Sequence, residues 1–397
     1  MKRLGLLILL TAFVGLWACD KNDEVKTTDL TVYVEYPDLY AEQYAPGTSV
    51  EVTNMETQVK TTLTTGSDGA VVFTELLPGT YNILASLSLT AAQAEALTGI
   101  AQEIILSGSE TSLMISGEPT MEVTVKMAGG KAGDLVFKEI YYTGSRTPAG
   151  GTYFLDQFYE IYNNSTETIY ADGLILATCH PTVAHMAPIA GWTDDHDHVY
   201  LSSVWRVPGT GEQYPIAPGE SIIISQNGTN HREDPNGNPD TPYAGSIADF
   251  ETFVDREDTR DVDNAGVPNM EMLHHGSMFY FLASVNGPAM VIFRVDDFES
   301  LARLPQPGSP STFEYVQLPV EYIIDGVETA RDAESVNNKR LPPSVDAGFI
   351  SCNGTYVSES IRRKTANIID GRRILQDTNN SSNDFEAITP PTPRSFD

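Results

Sequence analysis

All seven histidines of this chain lie between His180 and His275, and the densest group reads Thr193-Asp194-Asp195-His196-Asp197-His198. Imidazole nitrogens and carboxylate oxygens are the donors that hold zinc and its neighbours. In an extended segment alternate side chains share a face, so His196 and His198 would project together, with His180, His185 or Asp194 as a third ligand. Such a set fits a transition metal or a haem iron. The plainer reading is a polar loop whose histidines cap strands or face solvent. His231 and the pair His274-His275 follow downstream.

Oxygen ligands form a second pattern. Asp234, Asn236, Asn238 and Asp240 stand at every second position, as in a loop that encircles calcium. Asp261-Val262-Asp263-Asn264-Ala265-Gly266 begins alike, but Ala265 occupies a ligand position and no Glu stands at the twelfth. A turn rich in Asn, Asp and Pro accounts for the first loop equally well. Trp192 and Trp205 bracket the histidine group, with Tyr200 and Tyr214 close by. Exposed, they would form a platform for a sugar or peptide; buried, they pack a loop onto its scaffold. Cys179 and Cys352 would pair as a disulfide in an exported protein, or remain two separate buried thiols. The chain has no GxSxG elbow, P-loop, HExxH or dinucleotide fingerprint, so no enzymatic activity is expected.

The elements that position these residues begin with the composition. A formal charge of −30 repels phosphate backbones, and nucleic acid is not an expected partner. Lys2 and Arg3 precede the apolar run Leu4 to Val14, which ends in Leu16-Trp17-Ala18-Cys19. The run is shorter than the about 20 residues a spanning helix requires. It resembles the lipobox of bacterial lipoproteins, which implies cleavage after residue 18 and acylation of Cys19; an ordinary secretory signal is the alternative. Asp20-Lys21-Asn22-Asp23-Glu24 resembles the signal that sends Bacteroidetes lipoproteins to the outer face. That implies lipid attachment to the outer membrane with exposure at the cell surface, the periplasmic face being the alternative. Residues 19–28 read as a tether.

From Asp29 the chain alternates, with Leu30, Val32 and Val34 on one face. Strands follow at Val50–Asn54, Val59–Thr65, Ala70–Phe73 and Thr80–Ser86, a short helix at Thr90–Leu97, and two more strands around Ala101–Leu106 and Ser112–Ser116. Closely spaced short strands imply a β-sandwich over residues 29–128. Its Asp68-Gly69 and Pro78-Gly79 turns, with Phe73 and Tyr81 as packing aromatics, resemble carboxypeptidase regulatory-like and prealbumin-like modules, which implies a spacer or binding accessory. Residues 128–133 form a glycine-rich joint.

The second domain, residues 134–397, opens on the strand Asp134–Tyr142. Phe158-Tyr159-Glu160-Ile161-Tyr162-Asn163 with its Asn-Ser turn, Asp172-Gly173-Leu174, and Pro218-Gly219 before Ser221–Ile224 resemble the lamin-tail domain. Glu359–Arg363, Asp377–Asn379 and Asn383–Phe385 match that family's closing pattern. The likeness implies an immunoglobulin-like sandwich enlarged by insertions at about 178–215 and 227–278. The expected fold class is all-β, two β-sandwich domains. The whole layout resembles the Bacteroidetes family DUF4876. The implied function is a non-enzymatic, lipid-anchored surface binding protein, assisting nutrient capture beside a TonB-dependent outer-membrane transporter. A metal- or haem-binding lipoprotein and a structural or adhesive protein are the alternatives.

Overall fold

Alternation decides the first sheets. The computed structural model describes residues 26–396 apart from 38–39, 99–103, 132–134, 185, 259–260, 277, 333, 335–338 and 370. The signal segment and Cys19 lie outside the described residues. Strand β1 (Thr28–Glu35) buries every second side chain, which is how a pleated strand with one core face must read. Then come β2 (Ser49–Asn54), β3 (Lys60–Thr64), β4 (Ala70–Leu76), β5 (Gly79–Leu89), β6 (Ile104–Ile115), β7 (Thr120–Lys126) and β8 (Ala128–Lys131). One sheet runs β4-β1-β7, the other β3-β2-β5-β6-β8. They enclose an apolar core in which Val32, Val52, Phe73, Ile83 and Leu106 are buried. Each such side chain contributes about 1.5–3 kcal/mol.

Helix α1 (Ala91–Thr98) follows β5. Thr90 accepts from the Gln93 amide at 3.4 Å while the Gln93 side chain accepts from the Thr90 amide at 2.9 Å, a reciprocal N-terminal cap. Two expectations are corrected here. The strands anticipated near Ala101–Leu106 and Ser112–Ser116 form one strand, β6, paired along β5. Ser107-Gly108-Ser109 reads as a turn, but Gly108 serves close approach instead: a β-carbon there would lie 2.6 Å from the Lys126 carbonyl oxygen. The glycine-rich joint is also partly structured, because Ala128–Lys131 pairs with β6 as the sheet's last strand.

The second domain packs two larger sheets. The six-stranded sheet runs in the order Phe250–Glu251, Ser221–Ser225, Phe158–Asn163, Leu135–Tyr141, Ser360–Arg363 and Phe385–Ile388. The other runs Arg303–Pro305, Glu314–Pro319, His198–Arg206, Ile175–Cys179, Ala289–Phe293 and Ile323–Glu328, with Glu271–His274 beside His198–Arg206. Leu135–Tyr141 and Phe158–Asn163 are buried at every position, so both faces of the first sheet are covered. One face meets the core around Tyr159, Trp205 and Ile224. On the other, Tyr243 closes over Tyr141, Phe158 and Ile223, while Leu375 and Phe396 close over Val136 and Tyr162.

The spans read as insertions are therefore not simple decorations. His198–Arg206 is a central strand, paired with Ile175–Cys179 and Glu314–Pro319. Its pairing is bulged at Val204/Trp205 against Glu271–His274, and Ser202-Ser203 interrupts its apolar run, which is why it reads as loop. Among the described residues no helix is long and apolar enough to cross a membrane.

Candidate functional site

The histidine group does not converge. Residues 191–197 form turns and bends, and only His198 enters a strand, so the two-residue period that would align His196 with His198 does not apply. His196 and Asp194 face solvent. The carboxylate in use is Asp195, which accepts from the Tyr200 hydroxyl at 2.7 Å and bonds His198 Nδ1 at 3.1 Å. Burial raises its pKa, and these bonds outweigh that effect and hold it below the usual range. His180 pairs with Gln306 at 2.9 Å and packs on Tyr315; burial lowers its pKa and favours the neutral ring. His185 lies outside the described residues. Among the described residues no three His, Cys, Asp or Glu side chains form a metal-binding group.

The other candidates resolve in the same direction. Trp192 stacks on Tyr200 with centroids 4.0 Å apart, and both are buried, as is Trp205 in the core, so they pack the fold and offer no exposed platform. Asp234 accepts from the Asn236 amide at 2.8 Å and Asn238 from the Asp240 amide at 3.0 Å. Asn238 is fully buried and donates to Ser145 and the Arg146 carbonyl. Two of the four oxygens that would encircle calcium, those of Asp234 and Asn238, are thus turned to the chain's own amides, while Asn236 and Asp240 face solvent. Cys179 and Cys352 are free thiols in separate hydrophobic clusters, and the pairing is corrected. Ser203 and His275 stand 2.8 Å apart, the spacing of a nucleophile and its base. Ser203 is buried and His275 half-buried, and Trp205 Nε1 donates to the same hydroxyl at 2.9 Å, so the serine satisfies core polarity.

Sequence reasoning missed a cleft between the two domains. Its first wall is the outer face of β2, β3, β5 and β6. The alternation that sends Val50, Val52, Ile83 and Ala85 inward sends Ser49, Glu51 and Thr53 outward on β2 and Asn82, Leu84 and Ser86 outward on β5. Register then stacks them in rows: Ser49 opposite Ser86, Glu51 between Thr62 and Leu84, Thr53 between Lys60 and Asn82. Lys60 pairs with Glu51 at 2.9 Å. Asn82 accepts from the Ser112 amide at 2.8 Å. Ser109, beside Leu84, has a buried hydroxyl with no hydrogen-bond partner among the described residues.

The facing wall is a knit of two loops from the second domain. Asp346 accepts from the Gly348 and Ser381 amides, and Ser382 exchanges hydrogen bonds with both backbone groups of Phe349. Contact is so close that a β-carbon on Gly348 would lie 2.0 Å from Asn380 Oδ1. Between the walls lie two cavities of about 330 and 410 Å³. Both are lined by Glu51, Leu84, Ser382 and Asn383, so they form one trough. Volumes of this order hold small organic ligands.

A family model described as "Protein of unknown function (DUF4876)" matches residues 217–392. The crystal structure of a DUF4876 family protein from Bacteroides thetaiotaomicron is similar, at 30% identity and a TM-score of 0.62 over 93% of this chain and 97% of that one. This chain belongs to the DUF4876 family. No curated protein matches it. The matched segment of this DUF4876 protein includes the second wall, from Asp346 to Asn383. The structural likeness extends over both sandwiches. Ser49 and Thr53 flanking Glu51 on the outward face of β2, with Thr62 and Ser86 on its neighbours, were the one signal for the first wall.

Proposed function

We propose that this DUF4876 protein is a non-enzymatic, lipid-anchored binding protein of the outer membrane, exposed at the cell surface, which holds a ligand in the trough between its sandwiches. The observation that carries this reading is the trough itself, walled by both domains and lined by hydroxyl and amide groups with no nucleophile–base pair opening into it among the described residues. The lipid anchor rests on the Leu16–Cys19 sequence. In this reading the carboxypeptidase regulatory-like first domain both spaces the lamin-tail-like second domain from the membrane and completes the site. Supply of the ligand to a neighbouring TonB-dependent transporter is its use.

Cell fractionation and surface proteolysis test the placement. Wild-type protein should partition with the outer membrane and be cleaved by protease added to intact cells. Cys19→Ser should appear in the soluble fraction; retention in the membrane would overturn the anchor. Cross-linking in intact cells should recover a TonB-dependent transporter, and recovery of none would remove that part of the proposal.

A further inference from the structure

We infer that the trough takes a neutral, polyhydroxylated chain, an oligosaccharide of a few units. This rests on the trough being the binding site. Lys60 is committed to Glu51 at 2.9 Å. Lys339 donates to the Asp346 carbonyl, and Lys364 donates to the Asn383 carbonyl at 2.7 Å. The two lysines are thus oriented by backbone carbonyls and Glu51 is paired with Lys60, while Glu334 lines the first cavity as an exposed carboxylate.

Apart from Glu334, what remains available is largely neutral. Ser49, Thr62, Ser86 and Thr111 present hydroxyls to the trough, and Asn383 presents an amide. A hydroxyl both donates and accepts, as an amide does through its two ends, and a sugar hydroxyl is the ligand group that answers both roles at once. Ser109 adds an independent observation: its hydroxyl is buried without a partner among the described residues. Such a group costs stability until something bonds it, and a ligand hydroxyl entering beside Leu84 would do so. Leu84 on one wall and Phe349 on the other supply apolar surface for the C–H faces of a sugar ring. The two cavities share their middle residues, so the space is elongated and fits a short chain better than a single ring.

The test is calorimetric titration of the full mature protein with neutral tetrasaccharides of the malto-, cello-, manno- and xylo- series. Tetragalacturonic acid and a tryptic casein digest serve as anionic and peptide probes. At least one neutral tetrasaccharide should bind saturably at one site per chain. The pair Ser109→Ala and Asn383→Ala should weaken that binding at least tenfold with the thermal midpoint unchanged or raised. Absence of binding by all four neutral probes overturns the inference. Binding of tetragalacturonic acid or peptide alone, weakened by the same pair, overturns the ligand class and leaves the site standing. A neutral probe whose affinity the pair does not alter, nor Gly348→Val, overturns the site.

Discussion

The two domains stabilise themselves by different means. Among the described residues the first sandwich buries no charged side chain; its interior is Leu, Val, Ile, Ala, Phe and Tyr. The second buries ions at its sheet junctions. Arg363 contacts Asp325 at 2.5 Å and Asp377 at 3.0 Å, with Asp384 at 3.6 Å. Arg340 pairs with Glu328 at 2.7 Å, and Lys138 pairs with Glu160 at 2.8 Å beneath the Phe396 ring. The difference follows from topology. The longest pairing in the first domain joins β1 to β7, Asp29 opposite Thr120, whereas the second brings Leu135–Tyr141 beside Ser360–Arg363, segments more than two hundred residues apart. There, side chains that bond remote backbone specify the register: Arg363 Nε donates to the Phe137 carbonyl at 2.9 Å, and Asp325 accepts from the Phe137 amide at 2.7 Å. Buried ion pairs add little net stability over an apolar replacement, yet breaking one is costly.

The sharpest way to break this comparison is Arg363→Met, which leaves three carboxylates buried around an uncharged side chain. It should destabilise the second domain by about 3–5 kcal/mol. Beyond residue 18 the tryptophans are Trp192 and Trp205, both in that domain, so their emission in urea reads it alone. An unchanged midpoint would mean the cation is dispensable. Next in size, Ile83→Ala should cost the first sandwich about 2–4 kcal/mol, seen by hydrogen exchange along β5, with the tryptophan transition unmoved. An equal shift of both would show that the domains unfold as one unit and that separate cores are the wrong description.

The pH dependence should also divide the molecule. Burial pushes the Asp156 carboxyl up to about 6 and that of Glu251 up to about 7. Between those values and the ordinary carboxylate range the folded state holds protons that the unfolded chain has released, so stability rises as pH falls through that window and is lost above it. For Asp156 the full gain, reached below the ordinary carboxylate range, is roughly 3 kcal/mol. Tryptophan-monitored melting should therefore move upward from pH 8 to 5, and Asp156→Asn with Glu251→Gln should reduce that slope, with Asp261 and Asp384, which burial pushes up to about 6, supplying part of the remainder. A slope indifferent to the double substitution would place the proton uptake elsewhere. The smallest effect concerns the histidines: His196→Ala with His198→Ala, or added EDTA, should leave the tryptophan melt within about 0.5 kcal/mol and elemental zinc at background.

Period-two alternation and turn chemistry are local, and they made β1, β2, β4 and β5 legible, with Phe73 and Tyr81 in the core. The same local signals misled wherever a residue's role depends on a remote partner. Gly108 resembles a turn until β7 lies over it, and Ser202-Ser203 resembles a loop until neighbouring strands pair on either side. Asp234 and His198 resemble metal ligands until the amides and carboxylate that occupy them are in place. By itself the sequence determined an all-β chain, its division near the glycine-rich joint, an acidic surface and a cysteine after a short apolar leader, because composition and period need no partner. Tertiary structure alone decided which oxygens remained free. The hydroxyl rows of β2, β5 and β6 line a trough only because residues three hundred positions later fold back opposite them, and no local pattern encodes that encounter.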